Sequence, residues 1–197
     1  MDLRFVNTSV IAIVTAALAP LQSAVRQQPD PITDADAYSV YAAAIPQTWA
    51  DVSKDVLLLQ QETEGMEDWW SSCLPSITNA GPEWDAVAVA FRQENVGVRV
   101  LESLMPIGTP YRLVPRAEIL ADDARLARMY PGPMRYRPES MKYAAVSAVG
   151  FNAGKTKAIV SVRLRSTRGM VDIHFMEIRD GKWVNVSLGG CRWIVIA

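Results

Sequence analysis

The spacing of apolar residues changes character along the chain. From Tyr143 to Ile196 it alternates with period two, the signature of strands whose side chains point to opposite faces. Runs at Tyr143 to Phe151, Thr156 to Arg165, Val171 to Arg179 and Lys182 to Leu188 read as strands, with Cys191 to Ile196 as a fifth. Asn152-Ala153-Gly154, Ser166 to Gly169 and Asp180-Gly181 separate the first four, and Gly189-Gly190 breaks the chain before the last. Asp-Gly between two apolar runs is a strong hairpin signal, because a type I′ turn needs positive φ at both central residues. Pairing Arg179 with Lys182 then sets Phe175 against Val186, Ile173 against Leu188 and His174 against Ser187. One face would carry Ile173, Phe175, Val184, Val186 and Leu188, a core face. The other would carry Asp172, His174, Met176, Ile178, Trp183, Asn185 and Ser187, a mixed face suited either to partial solvation or to lining a cavity.

Upstream the period is helical. Asp34 to Ala44 follows a Thr33 or Asp34 cap, with Ala37, Val40, Tyr41 and Ala44 as its stripe and Pro46 as its expected end. Val56 to Gln61 is a short apolar run of strand length. Pro82 can open a helix, and Trp84, Val87, Ala88 and Phe91 continue it to about Asn95. Val96, Val98 and Val100 fit a strand, while Val98, Leu101 and Met105 extend the helical face; both readings stay open. Tyr111 to Val114 is short and extended. Arg116 to Met129 reads as a helix after Pro115, and the prolines at 131, 133 and 138 mark a loop. The expected fold is therefore α+β: helices of the first two-thirds packed on one face of a mostly antiparallel C-terminal β-meander of four to five strands. A curved sheet like those of nuclear-transport-factor-2-like or cystatin-like proteins fits this order, by fold-level analogy alone.

Composition narrows the class. The 197 residues are 50% hydrophobic and 21% charged, with net charge −1, which is globular and gives no electrostatic footprint for nucleic acid. Arg163, Arg165 and Arg168 form a local basic patch, read as a solvated strand end. At the N-terminus, Arg4, the apolar run Val10 to Leu18, Pro20 and the small residues Ser23-Ala24 have the order of a secretory signal. The alternatives are a membrane anchor or a buried helix. The expected organisation is a signal peptide over 1–24, a linker over 25–33 and one domain over 34–197. That makes the chain exported, periplasmic or secreted, with no stable membrane span after cleavage. Cys73 and Cys191 would remain, either paired in an oxidising compartment or as buried thiols. No Cys/His spacing suggests a metal, and no motif implies a cofactor.

Several residues carry candidate chemistry. His174 is the only histidine; Asp172 shares its face, and Ser187 lies opposite in the inferred register, so the three have the residue types of nucleophilic hydrolysis. Trp183 and Asn185 would line a ligand site beside them. Gly150 to Thr156 has the look of a phosphate loop but is followed by a β-run rather than a helix, which makes it a turn. Glu62 and Glu64, alternate residues after an apolar run, are either paired carboxylates or a solvated strand end. Trp49, Trp69, Trp70 and Trp84 would form a binding platform if exposed and core if buried.

The run Ser147-Ala148-Val149-Gly150-Phe151-Asn152, then Lys155-Thr156-Lys157-Ala158 with Val160 and Val162, and later Asp180-Gly181-Lys182-Trp183, resembles a group of small exported bacterial proteins of uncharacterised function. Glu62-Thr63, Asn95 after its apolar helix and the Arg116 to Met129 helix extend the resemblance over Tyr41 to Trp193. Arg168-Gly169-Met170 stands where a Gly- or Cys-richer turn is expected. The resemblance implies topology and export, and supplies no mechanism. Two functions follow from the whole: an exported non-catalytic domain binding a protein, peptide or envelope component, or a small hydrolase or acid/base enzyme built on the His174–Asp172 pair. An enzyme requires the Asp172/His174 face to be enclosed and concave.

Overall fold

A computed structural model describes residues 29–49, 56–65, 80–102, 105–108, 110–130, 142–165, 169–188 and 192–195. Among them are three helices, α1 (Ala35–Trp49), α2 (Pro82–Glu94) and α3 (Arg116–Met129). The strands are β1 (Leu57–Gln60), β2 (Tyr111–Val114), β3 (Tyr143–Val146), β4 (Gly150–Phe151), β5 (Lys157–Arg165), β6 (Gly169–Arg179), β7 (Lys182–Asn185) and β8 (Arg192–Val195). All eight form one sheet in the order β2-β1-β3-β5-β6-β7, with β4 beside β5 and β8 beside β6. The fold is α+β. Signal residues 1–24, Cys73, Cys191, Trp69, Trp70, Arg168 and the prolines at 131, 133 and 138 lie outside the described residues.

The helices cover both faces of the sheet rather than one. Ala158, Val160, Val162, Leu164 and Met176 face α1, whose Tyr38, Tyr41 and Ile45 complete that cluster. Ile159, Ile173 and Phe175 point the other way, onto Trp84, Val87, Ala88 and Phe91 of α2. Val114, Tyr143 and Ala145 meet Ile119 of α3 on that same side. Double coverage explains why β3 is apolar and buried at every position: both of its faces are interior. It also explains the parallel pairs at the far edge. β1 pairs in parallel with β2 and β3, and its Leu57-Leu58-Leu59 run suits a strand with interior on both sides. The remaining ladders are antiparallel.

Local departures from the sequence expectation have identifiable causes. α1 runs through Pro46 to Trp49, although proline removes a helical hydrogen bond, because Ile45 and Thr48 remain buried on the sheet. Residues 98–102 continue neither helix nor regular strand. Val100 instead bridges Pro31 and Glu62, with Ile32 N–H donating to Val100 O (2.8 Å) and Val100 N–H to Asp30 O (3.0 Å). The described part of the expected linker is thus pinned to the domain.

The strand expected over Tyr143 to Phe151 is interrupted. Val146 faces Val162 and Gly150 faces Ile159, so residues 147–149 stand opposite only two residues, a β-bulge. The bulge reverses which side chains face which way: Gly150 turns toward α2 and Phe151 toward α1's side. Ser147 compensates the broken ladder, its Oγ accepting the Ser161 N–H at 2.9 Å. Asn95, just past α2, matches the displaced Ala148 backbone on both groups. It accepts Ala148 N–H at Oδ1 (2.8 Å) and donates Nδ2–H to Ala148 O (3.1 Å) and to Phe91 O (2.7 Å).

Gly150 is where α2 touches the sheet. A Cβ there would sit 2.3 Å from both Phe91 Cα and Phe91 N, backbone atoms that cannot swing aside. Gly150→Ala is expected to cost at least about 3 kcal/mol or to prevent folding, by overpacking an interior contact. Gly97→Ala, with nothing within 4 Å of the added carbon, is the control and should stay within about 0.5 kcal/mol. Urea denaturation of the two variants decides it; equal midpoints would refute the close-contact account.

Candidate functional site

The Asp180-Gly181 turn sets the β6–β7 register as the sequence implied. Arg179 pairs with Lys182, and both turn residues have positive φ (52° and 73°). The ladder ends at Met176↔Asn185, and the last bond of the hairpin is Val186 N–H to Phe175 O at 2.7 Å. From there Val186 and Leu188 turn into the α2 cluster, and β8 takes over the edge of β6 in a shifted register, with Asp172 opposite Arg192. Ser187 therefore does not face His174 as a ladder partner; it is exposed beyond the strand end. The expected Asp172–His174–Ser187 triad is not assembled.

His174 and Asp172 do share a face, as the alternation requires, but that face is neither solvated nor a cavity at His174. α1 lies over it. His174 is 4% exposed and Asp172 6%. Thr48 Oγ1, in the last turn of α1, is 2.9 Å from His174 Nε2, and Asn185 Nδ2, on β7, is 3.0 Å from Nδ1. With the Asn185 amide donating to Nδ1, the ring carries its proton on Nε2 and donates it to Thr48. A buried imidazole thereby joins a helix to two strands. Sequence reasoning found Asn185 through the strand alternation. It missed Thr48, whose contact is 126 residues away in the chain and has no local signal. Trp183 packs against the α1 cluster and tilts against Phe151 at 6.0 Å.

The other charged candidates are paired. Glu62 Oε2 accepts the Arg116 N–H at 2.7 Å and so caps α3, whose N-cap residue Pro115 offers no side-chain cap. Glu64 holds Arg163 at 3.0 Å and is only 17% exposed, so this is not a solvated strand end. Arg165 binds Asp123 (2.8 Å) and Tyr143 Oη (3.2 Å), which places it against α3 rather than in solvent. Trp84 is core, edge-on to Phe175 at 6.0 Å.

Of the Gly150 to Thr156 run, Gly150-Phe151 is β4 and residues 152–156 turn the chain into β5, with Lys155 N–H donating to Asn152 O at 2.9 Å. Asn152 Oδ1 accepts the N–H groups of Thr156 (2.8 Å) and Lys157 (3.0 Å), and Lys155 reaches across to Asp34 (2.8 Å) and Asp36 (2.9 Å) at the start of α1. That contact borders a cleft of about 370 Å³ between the N-terminal segment, the end of α2 and the bulge. Its apolar lining includes Ala37, Ala90, Val149 and Phe151; its charged lining is Asp34, Lys155, Glu94 and Arg99. Burial pushes the Asp34 carboxyl up, but hydrogen bonds from Lys155 and from the N–H groups of Asp36 and Ala37 outweigh it and hold the group below its ordinary value. Hydrogen bonds that the Lys155 ammonium donates to the same two aspartates hold it above its ordinary value.

The chain matches no protein-family model, no curated protein and no solved structure. Among the described residues no group of three or more His, Cys, Asp or Glu side chains could hold a metal, and no helix is long and apolar enough to cross a membrane.

Thr48→Val keeps the shape of the side chain and removes the partner of a buried ring nitrogen. It should destabilise by about 1–3 kcal/mol, whereas Asn185→Ala, at an exposed residue, should cost less. Equal, negligible effects in urea denaturation would remove His174 from the structural account. For Asp34 the sign is set by its depressed folded value: the stability it adds is present above the unfolded carboxylate value and lost as pH falls through the folded one. The stability difference between wild type and Asp34→Asn should therefore shrink from neutral to strongly acid pH; a constant difference would contradict the ion-pair origin.

Proposed function

We propose that this chain is an exported, non-catalytic binding domain that presents the cleft beside the α1 N-terminus to a protein or peptide. One observation carries the reading. The histidine that catalysis would need is packed under α1 and hydrogen-bonded at both ring nitrogens, whereas the charged groups of the cleft remain accessible to a ligand. The order of charges and apolar run at the N-terminus supports export, and so does the resemblance to small exported bacterial proteins, whose shared residues act in the scaffold. Ser147 repairs the bulge, Asn95 grips it, Gly150 admits α2, Asn152 ties the turn and Asp180-Gly181 turns the hairpin.

A second reading has one specific observation in its favour. Thr48, His174 and Asn185 stand in the order hydroxyl, imidazole, amide, at 2.9 and 3.0 Å; to serve as nucleophile, base and orienting group they would need the other tautomer, with the Asn185 amide turned so that its Oδ1 accepts from Nδ1–H. Thr48 is itself only 4% exposed, which favours the cross-link over the nucleophile.

Both readings meet in one experiment. The exported form, isolated by cell fractionation with its N-terminus sequenced, is titrated with a soluble tryptic peptide pool. Amide shifts are followed by NMR and the pool by mass spectrometry. Shifts centred on residues 31–37 and 148–155 with an unchanged pool are expected. Shifts elsewhere, or new peptide termini that disappear in Thr48→Val, would overturn the proposal, and recovery of the chain only from the cytoplasm would overturn the export.

A further inference from the structure

The cleft carries two ion pairs from different elements. Asp34–Lys155 joins the α1 N-terminus to the β4–β5 turn, and Glu94–Arg99 joins the end of α2 to the segment after it. Side-chain exposures of 38% and 46% for the first pair, and 49% and 36% for the second, make them surface pairs, which contribute little to stability. Exchanging either partner for a ligand's charge is therefore inexpensive.

The two pairs are not equivalent. Lys155 is held by Asp34 and by Asp36, so that corner has one carboxylate more than it has ammonium groups. If Asp34 turns to a ligand, Lys155 keeps Asp36. Asp34 is also fixed in place, since its Oδ1 accepts the Asp36 N–H at 2.9 Å. This corner suits an ammonium group. Arg99 uses one terminal nitrogen on Glu94 (3.1 Å), and a guanidinium has five donors arranged to grip a carboxylate on two of them. Its backbone is anchored to Thr63, with Arg99 N–H donating to Thr63 Oγ1 and Thr63 N–H to Arg99 O, both at 2.9 Å. This corner suits a carboxylate. Between them the lining is small and apolar, from Ala37, Ala90 and Val149.

Lys155 also has an unusual backbone. Its φ is 49°, the left-handed region that favours glycine or asparagine and strains other residues. The turn holds a strained lysine whose ammonium lies at the cleft.

We propose that the cleft binds a short peptide by its two free ends, the α-ammonium at Asp34 and the α-carboxylate at Arg99. This rests on the cleft being the binding site and adds the ligand class to it. The probe is L-alanyl-L-alanine, compared with its N-acetyl, C-amide and doubly capped forms, by amide chemical-shift titration of the mature protein at low salt. The free dipeptide is expected to shift Ala37, Val149 and Lys155, and each cap to weaken binding about tenfold, as expected for loss of a charge-assisted hydrogen bond. Arg99→Gln should erase the penalty of the C-terminal amide and leave that of the acetyl group. Asp34→Asn, which keeps the Oδ1 acceptor for Asp36, should do the reverse. Equal binding of the free and doubly capped dipeptides would overturn recognition of the ends while leaving the cleft as the site. Shifts with no dipeptide, although the peptide pool still maps to the cleft, would also overturn it. Failure of both dipeptides and pool at the cleft would overturn the proposed binding function as well.

Discussion

The close approach of Gly150 to Phe91 organises this fold. A helix axis and a strand can come this near only where the strand has no side chain, and the absent Cβ lets α2 lie directly on β4. The contact needs Gly150 to face α2, and regular alternation from β3 would have turned it to the opposite side. One extra residue at 147–149 resets the alternation, so the bulge and the glycine act as a unit. The exposed backbone groups that a bulge leaves are costly inside a protein. Ser147 and Asn95 satisfy them, and both are almost fully buried. Removing any one member would leave the others without their reason.

The same bulge shapes the opposite face. Phe151, turned away from α2, meets Trp183 and lies beneath the Lys155 ammonium at 5.6 Å. Ser147 O accepts the Tyr41 hydroxyl at 2.9 Å, which fixes α1 over the sheet, and the buried Tyr41 phenol is pushed well above its ordinary value by desolvation. α1 is then held at three places: Lys155 at its start, Ser147 at its middle and His174 at its end. Tyr41 and Ile45, essentially inaccessible, each contribute about 1.5–3 kcal/mol of burial between those contacts. A helix fixed in this way can cross Pro46 without ending, and it closes the face on which His174 and Asp172 lie.

What was legible in the sequence divides along the range of the interactions. Asp180-Gly181 reads correctly because the turn chemistry is local, and Arg116 to Met129 reads correctly because Pro115 and a regular period bound it. The antiparallel ladders follow from turns of few residues. The parallel β1 pairs join residues more than fifty positions apart through no turn at all, and a run such as Leu57-Leu58-Leu59 names its burial but not its neighbour. The coverage of the sheet on two faces was hidden for the same reason. At the site, alternation correctly placed Asp172, His174, Trp183 and Asn185 on one face. It failed at Ser187, because the β7 ladder ends at Asn185 and leaves Ser187 exposed beyond it. Thr48, whose hydroxyl bonds the histidine ring, stood in a helix whose position no local pattern reveals.

The charged side chains fall into two groups, one over the α2 cluster and one at the cleft. On the α2 side Lys157 lies between Glu83 (2.9 Å) and Glu177 (3.0 Å), whose hydrogen bonds raise it, and Glu177 is lowered in turn by hydrogen bonds from Lys157 and Arg179. At the cleft Lys155 is raised and Asp34 lowered in the same manner. A raised lysine keeps its proton until pH climbs through its higher folded value; a lowered carboxylate stays ionised until pH falls through its lower one. Both pairs are therefore fully charged over the whole range between, and neither switches near neutrality. The Lys157 pair sits over the Trp84 ring at 5.9 Å and clamps α2 to β5, a contact with packed hydrophobic residues behind it. The Lys155 pair lies at the rim of the cleft, with the Phe151 ring beneath the ammonium. On the proposed binding reading, the same chemistry that is a clasp on the α2 side serves at the cleft as a pair of charges that exchange partners at constant pH.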